Sequence, residues 1–300
     1  MYKCNLRFVG VIKFIVSNMQ KLKMIFNGVM MDAEKPVITV DNRSFRYGDG
    51  CFETMKAVKG KIIHANEHFE RFFKSLELLQ FDKLNYLNAA YLTEHITKLL
   101  EQNKHQQTAR IRLTLFRGNG GLYDAENHFP NYCIQTWNLN VANNELNENG
   151  LVIDVYKDAR KVFDAFSHLK SNNYLPYVMA ALWAKKNHLN DALLLNPFDK
   201  ITDATIANIF IVKDGMIKTP AITEGGVNGI MKNYLLQCMR KENMPVEECS
   251  IAVEDVLQAQ EVFLTNSVYG IKWVKQCGNS NYTLQAAALL HKQFIQPLWH

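Results

Sequence analysis

None of the six cysteines, Cys4, Cys51, Cys133, Cys238, Cys249 and Cys277, stands in a C-x-x-C pair. No His/Cys group has metal-ligand spacing either, so no metal is expected and a dithiol redox centre is excluded. Scattered thiols of this kind are expected to be reduced and mostly buried, as in a cytoplasmic protein. Charge of one sign is also scarce. The 34 basic and 29 acidic residues give a formal charge of +5 and are interleaved, without the basic stripe that nucleic acid requires. Long apolar runs are missing as well: the stretch Phe8 to Val16 is interrupted by Lys13, is too short to cross a bilayer and is followed by no small-x-small cleavage site. Neither a membrane nor a nucleic acid is expected as a partner. The expectation for residues 1–23 is an N-terminal extension or a mis-assigned start, with translation beginning at Met19 or Met24.

What is present suits a packed enzyme. At 300 residues, 48% hydrophobic and 21% charged, the chain has the length for two domains of roughly 100–150 residues each. Residues 24–140 read as a smaller α/β domain, 141–150 as a linker rich in Asn with little to bury, and 151–300 as a larger C-terminal α/β domain. The smaller domain opens with Met24-Ile-Phe-Asn-Gly28, a strand ending in a turn, and Pro36 to Val40 reads as a second strand or an extended segment. Phe52 to Val58 and Lys61 to Ile63 form a hairpin about Lys59-Gly60. Phe69, Phe72, Phe73, Leu76 and Leu79 carry a helical period, a second helix is predicted from about Ala89 to Gln102, and the alternation of Ile111, Leu113 and Leu115 returns the chain to strand. In the larger domain, strands are predicted at 151–155, 191–195, 208–213 and 261–265, with helices at 174–186 and 229–242.

Lys170, in Ser167-His-Leu-Lys-Ser-Asn-Asn-Tyr174, stands at the entry to a helix. Desolvated there, its amine would have the lowered pKa that Schiff-base chemistry needs; taken alone, it reads more simply as a solvated loop lysine. Three other groups change that balance. Asp203 follows a strand and could keep a pyridine nitrogen protonated. Arg71 supplies a cation on a helix, and Gly229-Ile230-Met231 opens another helix, whose free N–H groups suit a phosphate. Plainer readings fit the rest: His64 and His68 as helix-surface groups without a carboxylate partner, Asp49 and Glu53 as acceptors for nearby backbone donors, and Cys51 as a small buried filler.

Six ordered segments, Arg46-Tyr-Gly-Asp-Gly-Cys-Phe-Glu-Thr54, Glu67 to Arg71, Leu169 to Leu175, Thr202 to Phe210, Gly226 to Met231 and Glu261 to Ser267, resemble the class IV aminotransferases of fold type IV. That group includes branched-chain and D-amino acid aminotransferases and 4-amino-4-deoxychorismate lyases. The resemblance implies a two-domain α/β (α+β) fold like that of D-amino acid aminotransferase, with pyridoxal 5'-phosphate (PLP) at the domain interface. It makes Lys170 the Schiff-base lysine and catalytic residue. Arg71, the backbone of Ile230 and Met231 and the Ser267 hydroxyl would hold the phosphate, and Tyr174 would contact the ring hydroxyl. Asp203 would face the ring nitrogen, where the family usually has Glu. A homodimer whose sites are completed by the neighbouring subunit is also implied.

The segments Gly48 to Thr54 and Gly226 to Met231, with Met231 where branched-chain enzymes usually have Thr, resemble the lyase branch. So does Arg117-Gly-Asn-Gly-Gly121, whose arginine is a candidate for a substrate carboxylate, although a hairpin turn with an exposed arginine fits the same residues. The expected activity is therefore release of 4-aminobenzoate and pyruvate from 4-amino-4-deoxychorismate, a step of folate biosynthesis. The alternative is transamination of branched-chain or D-amino acids with 2-oxoglutarate.

Overall fold

A computed structural model describes residues 21–299. The expectation for residues 1–23 therefore lies almost wholly outside the described part. The chain builds two sheets. The first comprises β1 (Lys23–Phe26), β2 (Val29–Asp32), β3 (Gly50–Val58), β4 (Lys61–Ile62), β5 (Thr108–Arg117) and β6 (Pro130–Asn138), in the order β2-β1-β6-β5-β3-β4 and antiparallel throughout. Asn27-Gly28, both at positive φ, makes the two-residue turn between β1 and β2.

Of the two readings of Pro36 to Val40, a second strand or an extended segment, the strand does not form. Val29 to Asp32 takes the place beside β1, and Val40 is left exposed. Instead, a short helix α1 (Arg43–Tyr47), capped by the Asn42 side chain and ended by Gly48 at φ +68°, delivers the chain into β3.

Period-two alternation sorts the two faces of this sheet. Ile111, Leu113 and Leu115 of β5 are fully buried, as is Met55 of β3. They pack with Phe69, Phe72 and Leu76 of α2 (Ala65–Leu78) and with Leu92, Ile96 and Leu99 of α3 (Ala89–Gln102). The alternate residues, Phe52 and Thr54 of β3 and Arg110 and Arg112 of β5, therefore point to the other face, with Thr54 directly opposite Arg112.

The second sheet has nine strands: β7 (Leu151–Arg160), β8 (Asp191–Leu195), β9 (Ile201–Ala204), β10 (Asn208–Lys213), β11 (Met216–Pro220), β12 (Val246–Cys249), β13 (Glu261–Asn266), β14 (Gly270–Cys277) and β15 (Ser280–Asn281). Their order is β12-β11-β10-β13-β14-β7-β8-β9, with β15 beside β14. Apolar clusters cover both faces, and so β8 reads as an unbroken run, Ala192-Leu-Leu-Leu195. The helices here are α4 (Leu175–Lys186), α5 (Ile230–Lys241), α6 (Val253–Leu257) and α7 (Gln285–Leu290). No helix among the described residues is long and apolar enough to cross a membrane.

Residues 139–150 are better anchored than their composition suggests. Asn147 is bonded to the Trp273 backbone in both directions, its own carbonyl accepts from the Trp273 indole, and Asn144 accepts from the buried Lys56 amine at 2.6 Å. Polar side chains do here what apolar burial does elsewhere, which hydropathy does not register.

Candidate active site

A cavity of about 360 Å³ opens between the two sheets, with Phe52, Lys170, Tyr174, Asp203, Ser267 and the start of α5 in its wall. Backbone pairing fixes the position of Lys170. Phe52 N–H donates to the Lys170 carbonyl at 2.9 Å and Asn172 N–H to the Gly50 carbonyl at 2.9 Å, so the lysine segment is laid along the edge of β3. Gly50 permits that approach, because a Cβ there would lie 2.2 Å from the Leu115 oxygen and 2.7 Å from the Asn172 amide.

The Lys170 amine makes no ion pair among the described residues. It sits 4.5 Å from the centre of the Phe52 ring and 5.7 Å from that of Tyr174. Withdrawal from water, helped by the positive charge of Arg71, pushes its pKa down to about 8. A substantial fraction is thus the neutral, nucleophilic amine near neutral pH.

Arg71, on the cavity-facing side of α2, is held by Glu53 of β3 through two bonds of 2.7 and 2.6 Å, and by the Asn228 carbonyl at 2.5 Å. Burial alone would raise the pKa of Glu53, but Arg71 and the His68 hydrogen bond outweigh it and hold the carboxyl at about 2. His68 is itself fully buried, with Nδ1 2.7 Å from Glu53, and burial lowers its pKa so that it is neutral. Both histidine and glutamate readings from the sequence are corrected here. His68 does have a carboxylate partner, and Glu53 pairs with side chains across the fold instead of with local backbone. Three of the five guanidinium donors are used in this way, which leaves two of them for an anion.

Beside Arg71, the N-terminus of α5 has no side-chain cap, so the Ile230 and Met231 N–H groups have no intrahelical acceptor. Gly229 precedes them, where a Cβ would collide with the Asn208 amide oxygen at 1.8 Å. Ser267 lines the cavity as expected, and close to it the fully buried Thr265 hydroxyl has no partner. Sequence reasoning passed over Thr265, although it stands two residues before Ser267 and lines the same cavity. The Tyr174 hydroxyl is likewise buried and unpartnered, its pKa pushed up by burial, and its ring stacks on Tyr177 at 4.6 Å.

Asp203 is buried and accepts four hydrogen bonds: its Oδ2 accepts from the Tyr177 hydroxyl at 2.8 Å, the Val227 N–H at 2.9 Å and the Lys161 amine at 3.3 Å, and its Oδ1 from the Thr202 hydroxyl at 2.9 Å.

Arg117 is not brought to this cavity. Asp49, which follows the αL turn at Gly48, binds both Arg43 at 2.9 Å and Arg117 at 3.1 Å. The remaining Arg117 donors go to the Leu79 and Gln80 carbonyls and to His128, while its guanidinium covers Phe81. Besides Arg71, the arginines that line the cavity are Arg110 and Arg112, neither of which forms an ion pair among the described residues. Arg112 lies 3.6 Å above the Phe52 ring. Alternation along β5 places both on the face opposite the Ile111, Leu113 and Leu115 core.

Residues 50–277 match the model of the family described as amino-transferase class IV. The chain belongs to the class IV aminotransferase family. An aminodeoxychorismate lyase of Vibrio harveyi is 27% identical over 236 residues, covering 78% of this chain and 85% of that one. A D-alanine aminotransferase of Listeria monocytogenes is 26% identical over 260 residues, with 83% and 86% covered. Among solved structures, the branched-chain aminotransferase of the archaeon Thermoproteus uzoniensis superposes with a TM-score of 0.85 at 21% identity, covering 93% of this chain and 95% of that one; it shares the fold. Class IV aminotransferases are PLP enzymes, and PLP is the cofactor of this chain. The residues present fit it: an isolated lysine of lowered pKa, an arginine beside an uncapped helix start, and two buried hydroxyls without partners.

Proposed function

We propose that this class IV aminotransferase is a 4-amino-4-deoxychorismate lyase, releasing 4-aminobenzoate and pyruvate for folate synthesis. Arg71, the Ile230 and Met231 N–H groups, Ser267 and Thr265 hold the cofactor phosphate. Tyr174 meets the ring hydroxyl and Asp203 the ring nitrogen. The smaller domain, residues 24–140, and the larger, 151–300, meet at this site across the linker 141–150. When bound, PLP supplies the electron sink for the bond broken beside the substrate nitrogen.

The observation that carries the lyase reading is the pair Arg110 and Arg112. Two guanidiniums without carboxylate partners, on the sheet face across from Lys170, suit a substrate with two carboxylates. The substrate proposed here has one on its ring and one on its enolpyruvyl group, whereas alanine, leucine and valine have one only. Lys170, whose lowered pKa of about 8 makes its neutral form accessible, takes the proton from the amine-bearing carbon as the ring C–O bond breaks. It then gives that proton to the methylene carbon of the departing enolpyruvyl group, so one proton is carried and none is consumed.

Transamination with 2-oxoglutarate is the second reading, since that acceptor is also a dicarboxylate and would engage the same two arginines. Homodimerisation is supported by an exposed apolar stripe on α4, where Leu175, Val178, Met179 and Leu182 recur at helical spacing. A paired assay on PLP-loaded protein tests the reading, following 4-aminobenzoate and pyruvate from 4-amino-4-deoxychorismate alongside keto acid from leucine, isoleucine, valine and D-alanine with 2-oxoglutarate. The expected result is fast 4-aminobenzoate release with weak transamination; fast transamination without 4-aminobenzoate would replace the lyase by the second reading.

A further inference from the structure

Lys161 is a buried lysine that the chemistry above does not use. It follows directly on β7, where its N–H donates to the Leu195 carbonyl at 2.8 Å, and only 6% of its surface is exposed. Its amine does not reach the cavity wall. It stands behind Asp203, 3.3 Å from Oδ2, and 5.1 Å from the centre of the Tyr177 ring. Aspartate is one methylene shorter than the glutamate usual at this position, so its carboxylate has less reach and more to gain from being fixed. A carboxylate offers about four acceptor directions. Three donors converge on Oδ2 and one on Oδ1, leaving Oδ1 with the one acceptor direction not taken by the protein.

We propose that Lys161 is a positioning residue that holds Asp203 turned so that its remaining acceptor is presented to the nitrogen of the cofactor ring. The inference rests on Asp203 being the ring-nitrogen partner. Without a cation behind it, a carboxylate withdrawn from water takes up a proton. Of the charged and titratable groups around Asp203, Tyr177 and Tyr174 from α4 are neutral hydroxyls, Asp191 from β8 repels it, and Lys170 is committed to the cofactor once PLP is bound. That leaves Lys161, whose own pKa burial lowers and Asp203 draws back up, as the cation paired with Asp203 at 3.3 Å among the described residues.

The test compares the PLP dissociation constant of the wild-type protein with those of Lys161→Met, Lys161→Arg and Asp203→Asn, by equilibrium dialysis from pH 6 to 9, each variant expressed as a ratio to wild type at the same pH. Lys161→Met is expected to bind PLP roughly 10- to 100-fold more weakly at pH 6, the size of one charge-assisted hydrogen bond. Lys161→Arg should bind like wild type at every pH, and Asp203→Asn should be equally weak throughout. If Lys161→Met matches wild type across the range while Asp203→Asn is weak, the role of Lys161 falls and that of Asp203 stands. Wild-type affinity in Asp203→Asn overturns the placement of Asp203 itself. A deficit in Lys161→Met that Lys161→Arg shares in full means that the lysine serves packing and overturns the proposal.

Discussion

Replacing Glu53 with Gln keeps the shape of the side chain and removes its charge from a fully enclosed cluster. Arg71 would then stand in the interior with its charge unmatched, while His68 and the Asn228 carbonyl remain as neutral neighbours. Two routes give the size of the effect. Holding the Glu53 carboxyl at about 2 in place of the ordinary 4.5 corresponds to roughly 3 kcal/mol of native-state stabilisation. Breaking one side of a buried pair costs about 3–5 kcal/mol in general.

Because the folded-state pKa is depressed, that contribution is fully present above about pH 4.5 and is lost as the pH falls toward 2. The assay is urea unfolding of the apo protein at pH 7 and at a series of acidic values. Glu53→Gln is expected to be about 3 kcal/mol less stable at pH 7, and the gap should narrow as the medium is acidified. A difference under about 1 kcal/mol at pH 7, or one that widens in acid, would refute the account of Glu53 as the counter-charge of Arg71.

Arg112→Ala should raise KM for a dicarboxylate substrate by roughly 10- to 100-fold through loss of one charge-assisted contact, with PLP affinity unchanged. Arg117→Ala should instead cost roughly 1–3 kcal/mol of stability and leave KM alone, since its partners are Asp49 and backbone carbonyls; steady-state kinetics beside unfolding curves separate the two. Capture of PLP by the apo protein should speed up about tenfold for each step of one in pH below 8 and level off above it, because the neutral Lys170 amine is the reacting form; stopped-flow absorbance reads this directly, and a rate indifferent to pH would contradict the lowered pKa. Lys170→Ala should retain native far-ultraviolet circular dichroism and lose the long-wavelength absorbance of covalently held PLP.

Much of this site was legible before any coordinates, and the reason differs from residue to residue. Lys170, Asp203, Arg71 and the start of α5 lie in segments whose local order identifies them, and the cavity contains all four. The helices α2 and α3 announce themselves by period, since each buries a single apolar stripe against one sheet face. What escaped are relations between residues far apart in the chain. Arg117 looked available because it opens the glycine-rich run Gly118 to Gly121; its partner Asp49 is 68 positions away and reaches it only once β3 and β5 are paired. His68 is 15 residues from the Glu53 that it meets across a strand and a helix. Pro36 to Val40 has β-forming residues, but strand formation depends on a free edge, and Val29 to Asp32 holds the one beside β1.

The pairing of the Lys170 segment with β3 has a bearing on how the protein matures. The lysine lies in the second half of the sequence, yet its backbone register is set by Gly50 and Phe52 from the first half. A nascent chain that has completed only one sheet therefore has no properly seated Lys170, and the site exists only once both halves have folded and docked.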